Sequence, residues 1–207
     1  MPARAADGDP QIFLSALAQD AATVLRDDGL NQATRAAAFR IILRRGFDVP
    51  AVSRFVLGRY WRRASHEQRT EFTQLFEDYL VAIYGRRLGS QLDNALNVTG
   101  HRADGESGAI VHSEFSAPNG PVIALDWRLK QRPEGWCVID IMVEGVSMAL
   151  AQRSEFTTVI RNSGGLVSGL LEKLRKKTQT LVLNQINSEK LSPTNAAVSS
   201  QYGIAHS

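Results

Sequence analysis

"VIDIMVEGVSMALAQRSEF", residues 138 to 156, begins as a strand and ends as a helix, with one glycine and no proline between them. Through Glu144 the pattern alternates: Cys137, Ile139, Ile141 and Val143 fall on one side, and Val138, Asp140, Met142 and Glu144 on the other. After Gly145 the spacing becomes helical and a polar face carries Arg153, Ser154 and Glu155. Which side of the strand turns inward, and what covers it, decides the fold.

The same alternation extends backwards to about residue 95. Leu96 and Val98 alternate with Asn97 and Thr99. Ala109, Val111 and Phe115 alternate with Ile110, His112 and Glu114. Ile123, Leu125, Trp127 and Leu129 alternate with Val122, Ala124, Asp126 and Arg128. Turn signals separate these runs at Asp104-Gly105, Pro118-Asn119-Gly120 and Pro133-Glu134-Gly135. A four-stranded antiparallel meander follows, with one face almost wholly apolar and the other mixed. Three-residue loops at the two later turns would oppose residues whose numbers sum to 238 and 268, setting Arg128 across from Asp140 on the outer side.

Helices come first in the chain. Asp9-Pro10 reads as an N-cap followed by proline in the first turn, opening a helix over about 10–26 with Phe13, Leu17, Ala21, Val24 and Leu25 on one face. A second covers about 32–45, with Phe39, Ile42 and Leu43 inward and Gly46 as its stop, and Asp48 with Pro50 starts a short third ending near Gly58. Ser65-x-x-Gln68 spells a capping box. It opens a helix over 66–88 in which Phe72, Leu75, Phe76, Tyr79, Leu80, Ile83 and Tyr84 recur at three-and-four spacing. After the sheet, helices are expected near 148–162 and 166–177, separated by Gly164-Gly165; Leu166, Leu170, Leu171 and Leu174 point inward in the second. Helices on one face of an antiparallel sheet make an α+β domain over 10–177. Residues 178–207 turn rich in Ser, Thr, Asn and Gln and read as a loosely attached tail. Residues 1–9 contain Ala3-Arg4-Ala5, an A-x-A pattern like the end of a trimmed signal peptide.

Charge is nearly balanced, with 24 Lys+Arg against 21 Asp+Glu, so nucleic acid is not an expected partner. The distribution says more than the sum. Arg40, Arg44, Arg45, Arg54, Arg59, Arg62, Arg63 and Arg69 stand against only Asp48 and Glu67 in that stretch, and Lys173, Arg175, Lys176 and Lys177 form a second basic cluster. Such clusters are solvated helix faces, or they attract anionic head groups and acidic protein surfaces. Cys137 is alone, which excludes an internal disulfide. No apolar run approaches the roughly eighteen residues that a membrane span requires.

Catalytic patterns are missing. His66, His101, His112 and His206 show no ligand spacing with one another or with Cys137, so no metal site is expected. Ser107, Ser147 and Ser154 lack a nucleophile-elbow context, and no glycine-rich loop joins a strand to a helix in a phosphate-binding pattern. Asp126, Asp140 and Glu144 could form an acid/base group, but alternation puts all three on the face away from the apolar layer. Tyr79 and Tyr84 carry the polar tips nearest any cavity, where a hydroxyl satisfies a backbone partner or sits at the mouth. An apolar helical layer facing an apolar sheet either packs solid or leaves a pocket, and composition does not separate the two.

The segments "VLGRYWRRASHEQRTEFTQLFEDYLVAIYGRRL" (56–88), "ALDWRL" (124–129) and "GWCVIDIMVEGVSMALAQRSEFTTVIRNSGGLVSGLLEKL" (135–174) resemble the MlaC/toluene-tolerance family of periplasmic lipid-binding components of ABC transport systems. The likeness covers roughly 11–177 and leans toward the hopanoid-associated branch, HpnM. It implies an NTF2-like α+β fold with an apolar pocket between helices and sheet. Bound lipid, phospholipid or hopanoid, would be cargo, and no cofactor is implied. It also implies a signal peptide, an inner-membrane ABC transporter with its substrate-binding subunit as partner, and an outer-membrane lipoprotein complex as a further one.

On that resemblance the pocket would be lined from the helices by Phe72, Phe76, Tyr79, Leu80, Ile83 and Tyr84, and from the sheet by Val98, Val111, Phe115, Ile123, Leu125 and Trp127. Ile139, Ile141 and Val143 would form its floor, with Met148, Val159 and Leu170 covering one side. Arg59, Arg62 and Arg63 are expected to dock a partner or head groups, and Arg153 to cap, pair with Glu155 or a sheet carboxylate, or meet a head group. Each buried methylene contributes about 0.8 kcal/mol, so a chain of about sixteen carbons costs on the order of 12 kcal/mol to hold in water. Two other readings stand beside the carrier. One is a cavity enzyme on the same fold, using Tyr79 or Tyr84 with a carboxylate. The other is an interaction module whose interior is filled.

Overall fold

The structure, a computed structural model, describes residues 8–27, 29–87, 96–116 and 121–190. Ala3-Arg4-Ala5, the Asn119-Gly120 turn and the polar residues after 190 lie outside them. The Asp9 carboxylate accepts from Gln11 N at 2.7 Å, and Pro10 sits in the first turn, which opens α1 (Pro10–Arg26). Asn31 caps α2 (Gln32–Gly46), accepting from Thr34 N. Leu17 of α1 lies directly over Gly46; a methyl there would meet its side chain at 2.4 Å, so this helix pair needs a glycine.

Asp48 caps α3 (Val49–Leu57) and also accepts two hydrogen bonds from Arg132 at 2.6 and 2.9 Å, tying the α2–α3 corner to the sheet. A 3-10 turn, Gly58–Arg62, leads to α4 (His66–Arg87). The capping box is reciprocal: Ser65 N donates to Gln68 Oε1, and Gln68 N donates to Ser65 Oγ.

Strands β1 (Asn97–Ala103), β2 (Gly108–Ser116), β3 (Val122–Arg132), β4 (Gly135–Val143) and the short β5 (Val146–Ser147) form one antiparallel sheet in sequence order. Between β2 and β3 the pairing runs from Gly108–Lys130 to Ser116–Val122, the register expected from the turn. Between β3 and β4 it holds from Leu125–Val143 to Arg128–Asp140 and then slips by one residue, to Leu129–Val138 and Arg132–Gly135. The hairpin loop is thus two residues, Pro133-Glu134, and Ile139 is a bulge that restores the expected register beyond it. Cys137 and Ile139 are therefore not the inward residues that simple alternation made them. Val138 is the inward partner of Leu129, and Cys137 instead donates its thiol to Lys130 O at 3.3 Å.

β4 and β5 meet at Glu144-Gly145, whose φ angles of 49° and 77° make the doubly left-handed turn that matches strand twist. Arg128 faces Asp140 in the ladder, yet its side chain pairs with Asp104 at 3.0 Å. The Asp140 carboxylate is engaged elsewhere. It accepts from Ser147 Oγ at 2.5 Å and from Ala149 N at 3.0 Å, and so anchors the start of α5 (Met148–Asn162) to the sheet. Asp140→Ala is expected to cost about 2–3 kcal/mol in chemical denaturation, because hydrogen bonds to a charged acceptor are lost and donors at the helix start are left open. A cost below about 0.5 kcal/mol would show that the anchor is dispensable.

α6 (Val167–Lys190) is the clearest departure from the sequence reading, running thirteen residues beyond the expected end at 177. Two contacts extend it. Lys177 Nζ pairs with Glu155 at 3.2 Å and lies 4.9 Å from the Tyr79 ring centroid, while Leu181 packs on the helical core. The boundary placed at 177 falls within a continuous helix.

α4 is the centre of the helical layer, packing against α2, α3 and α6. One side carries Glu77, 7% exposed, which receives Arg40 at 2.6 Å and Arg44 at 3.0 Å from α2. Burial alone would push the Glu77 carboxyl up, but the two guanidinium groups outweigh it and hold the carboxyl below its ordinary range. A depressed folded-state value contributes stability that is complete at neutral pH and lost as pH falls through the carboxylate range. Glu77→Gln should therefore cost roughly 2 kcal/mol near neutrality, and the gap from the parent should shrink on acidification. A pH-independent gap in urea midpoints would contradict the ion-pair account.

Candidate functional site

The apolar residues gather into separate clusters. Helices α3 to α6 form one, with Phe72, Phe76 and Phe156 at its centre; Phe72 stacks on Phe76 at 5.9 Å and meets Phe156 edge-on at 5.7 Å. A second joins α1 and α2 to the sheet through Leu14, Leu17, Ile42, Ala109, Val111, Leu129 and Val138. A third, around Phe39, Leu43, Val49 and Val81, bridges α1 and α2 to α3 and α4.

Along the strands the inner face therefore changes character. At one end Ala109, Val111, Leu129 and Val138 are buried under α1 and α2. Toward the other end Phe115, Ile123, Leu125 and Val143, paired in register as Phe115–Ile123 and Leu125–Val143, are only half-buried and join none of the three clusters. That end of the inner face is an apolar surface, the trough, that packs on none of the three clusters. Met148, half-buried at the first turn of α5, follows the β4–β5 hairpin, in which Val146 pairs with the floor residue Val143.

The residues singled out in the sequence divide accordingly. Phe115, Ile123, Leu125 and Val143 belong to the trough, and Met148 lies at the start of α5. Val98, Trp127 and Ile141 are half-buried and pack on the sheet core, and Val111 lies fully inside it. Phe72, Phe76, Tyr79 and Leu170 sit within the filled helical core, and Leu80, Ile83 and Val159 are half-buried at its margin. Tyr84 is exposed at 40%. Ile139 occupies the bulge.

Alternation had left Ser113 unremarked between Val111 and Phe115. It is the polar point of the inner face, buried, donating to Leu125 O at 3.0 Å and accepting from Trp127 Nε1 at 2.9 Å. Its position in the run was the available signal. These two bonds fix the indole of Trp127 at the boundary between packed sheet and trough.

The three carboxylates of the outer face are all engaged. Asp126 meets His112 Nδ1 at 2.8 Å, Asp140 anchors α5, and Glu144 Oε1 accepts from Ala124 N at 2.7 Å. Among the described residues no cluster of three or more metal-ligating side chains occurs, and no helix is long and apolar enough to cross a membrane. A depression of about 490 Å³ is lined by Asp9, Gln11, Ile12, Ser15, Ala16 and Gln19 at the start of α1 and by Val98 of β1, whose partner in the ladder is Ser113.

The arginine-rich stretch also divides. Arg40 and Arg44 hold Glu77, Arg45 pairs with Asp20, and Arg69 donates to Trp61 O at 2.8 Å. Arg54, Arg59, Arg62 and Arg63 remain exposed. Among the described residues Arg153 forms no ion pair with Glu155 or a sheet carboxylate: its guanidinium lies 5.3 Å from the Phe55 ring centroid, and Glu155 pairs with Lys177. In the second basic cluster, Arg175 reaches Glu71 and Lys176 reaches Glu172.

Comparison with known proteins agrees with this architecture. The toluene tolerance protein ttg2D of Pseudomonas putida is 25% identical over 118 residues, 56% of this chain and 55% of that protein. The intermembrane phospholipid transport system binding protein MlaC of Haemophilus influenzae is 24% identical over 135 residues, 63% of this chain and 62% of its own length. The matched region thus spans between half and two thirds of each of these relatives. A phospholipid-binding protein from Ralstonia solanacearum, solved in complex with a phospholipid, superposes with a TM-score of 0.75 at 24% identity, covering 84% of this chain and 99% of that one. The sequence profile of the MlaC protein family matches residues 15–176, which takes in most of α1, the helical layer, the whole sheet and the first part of α6, and the chain belongs to that family.

Proposed function

We propose that this chain is a soluble periplasmic lipid carrier, not an enzyme, that shelters the apolar part of a phospholipid or hopanoid in the trough and exchanges it with membrane complexes of an ABC transport system. The observation that carries the reading is the half-buried row Phe115, Ile123, Leu125 and Val143, apolar floor residues left outside every packed cluster. A contiguous apolar surface of this kind marks a site where a ligand or a partner binds. Acyl chains or a polycyclic ring system cover it without directional bonding, which suits cargo that must later leave. Release then needs a docking partner offering a competing apolar site and no covalent step. Relatives named for toluene tolerance and phospholipid transport point the same way.

The test is the protein's native cargo. Purified protein, extracted with organic solvent and examined by mass spectrometry, should yield stoichiometric phospholipid or hopanoid. Lipid-free preparations that also fail to take up a fluorescent phospholipid or a labelled hopanoid would overturn the carrier reading.

A further inference from the structure

We propose that the surface shared by α3, the 3-10 turn and α5 is a docking face for an anionic lipid bilayer. Two large apolar side chains stand out from it: Phe55 is 41% exposed and Leu150 56%. They are joined by Arg153, which stacks on the Phe55 ring and lies one helical turn from Leu150 on α5. Its guanidinium also lies over Gly58, where a Cβ would come within 2.8 Å of Nε, so the backbone of the turn leaves room for it. Around this ridge lie Arg54, Arg59, Arg62 and Arg63, all exposed. The guanidinium groups of Arg59 and Arg63 lie near the buried Tyr60 ring, at 5.2 and 5.8 Å from its centroid, which holds these two cations close together.

The charge balance of this face is one-sided. From Val49 to Arg63 there is no acidic residue, and in α5 the sole carboxylate, Glu155, is turned to Lys177. Glu144, on the adjoining hairpin, is directed to Ala124 N. None of the ion pairs among the described residues uses Arg54, Arg59, Arg62, Arg63 or Arg153.

Arginines around exposed aromatic and aliphatic side chains suit an anionic interface: the cations meet head groups, while Phe55 and Leu150 enter the head-group and acyl boundary. A purely electrostatic steering patch would have no use for the apolar ridge. The face also adjoins the trough, since the exposed Val146 of β5 pairs with the floor residue Val143 and lies four residues before Leu150. A carrier docked by this face would bring the trough's rim to the membrane.

Flotation of the full chain with vesicles tests this, comparing phosphatidylglycerol mixed with phosphatidylcholine against phosphatidylcholine alone. The parent should bind the anionic vesicles and release as salt rises through the physiological range. Arg54→Gln, Arg59→Gln, Arg62→Gln and Arg63→Gln combined should weaken partitioning by roughly tenfold or more. Phe55→Ser with Leu150→Ser should leave the salt dependence unchanged but shorten residence on the vesicle several-fold. Both variants change exposed side chains, and thermal melts check that they fold. A parent indifferent to phosphatidylglycerol, or an arginine variant that binds equally well, overturns the proposal. So does concentration-dependent self-association that the serine variant abolishes without any vesicle binding, which would assign the ridge to a second copy of this chain. Cargo measured in the same samples keeps the two readings apart: a lipid-loaded protein that ignores vesicles rejects the docking face alone, and a vesicle-binding protein that never holds lipid rejects the carrier alone.

Discussion

Leu125→Asp is expected to abolish lipid retention while leaving the fold nearly as stable as the parent. Leu125 lies at the middle of the trough floor, paired with Val143 on one side and Ser113 on the other. A carboxylate there would have to be covered by hydrocarbon, where it finds no partner, and an unpaired buried charge costs several kcal/mol or forces the group to take up a proton. A loss of about 3 kcal/mol corresponds to roughly a hundred-fold weaker uptake. Lipid recovered from the purified variant should fall to background. The same substitution at the exposed outer-face residue Val122 should leave cargo intact. Full lipid occupancy in Leu125→Asp would show that the tails lie elsewhere.

Phe72→Ala should do the reverse. The ring is fully buried between Phe76 and Phe156, in the helical core and not in the trough. Removing it should cost about 4 kcal/mol through lost transfer free energy and the cavity left behind. For a chain of this size that lowers the melting temperature of lipid-free protein by roughly 8–16 °C. The class of lipid bound should not change. A loss of less than about 1 kcal/mol would mean that the aromatic cluster is loosely packed. Taken together, the two variants separate residues that hold the fold from residues that hold cargo, a distinction that helical spacing does not make.

That distinction explains what could be read before any coordinates. Elements with local signatures were legible: Asp9-Pro10, Ser65-x-x-Gln68 and Glu144-Gly145 each place an element boundary by chemistry within a few residues. The sheet order and the β2–β3 register followed from alternation and turn spacing. What was not legible there depended on distant partners. Phe72, Phe76 and Tyr79 share one apolar stripe with Leu80 and Ile83, but Phe156 of α5 closes over the first two and Lys177 of α6 over the third, and nothing near them in sequence announces it. Arg40 and Arg54 look alike in a list of arginines; Glu77, on another helix, makes the first structural and leaves the second free. Leu181 sits in a polar stretch and is drawn into the fold because the helical core reaches that far.

The surplus residue in β4 has a consequence for shape. Ile139 can be deleted on paper without moving any other side chain to the wrong face: Val138 would still oppose Leu129, and Asp140 would still oppose Arg128. What would vanish is the local bend and extra coiling that an unpaired residue imposes on a strand. A second irregularity, between Val98 and Gly100, sits three strands away in β1. Curvature in this sheet is thus set by chain length as well as by side-chain identity, and a one-residue deletion that preserves every contact pair would flatten a bowl into a plate.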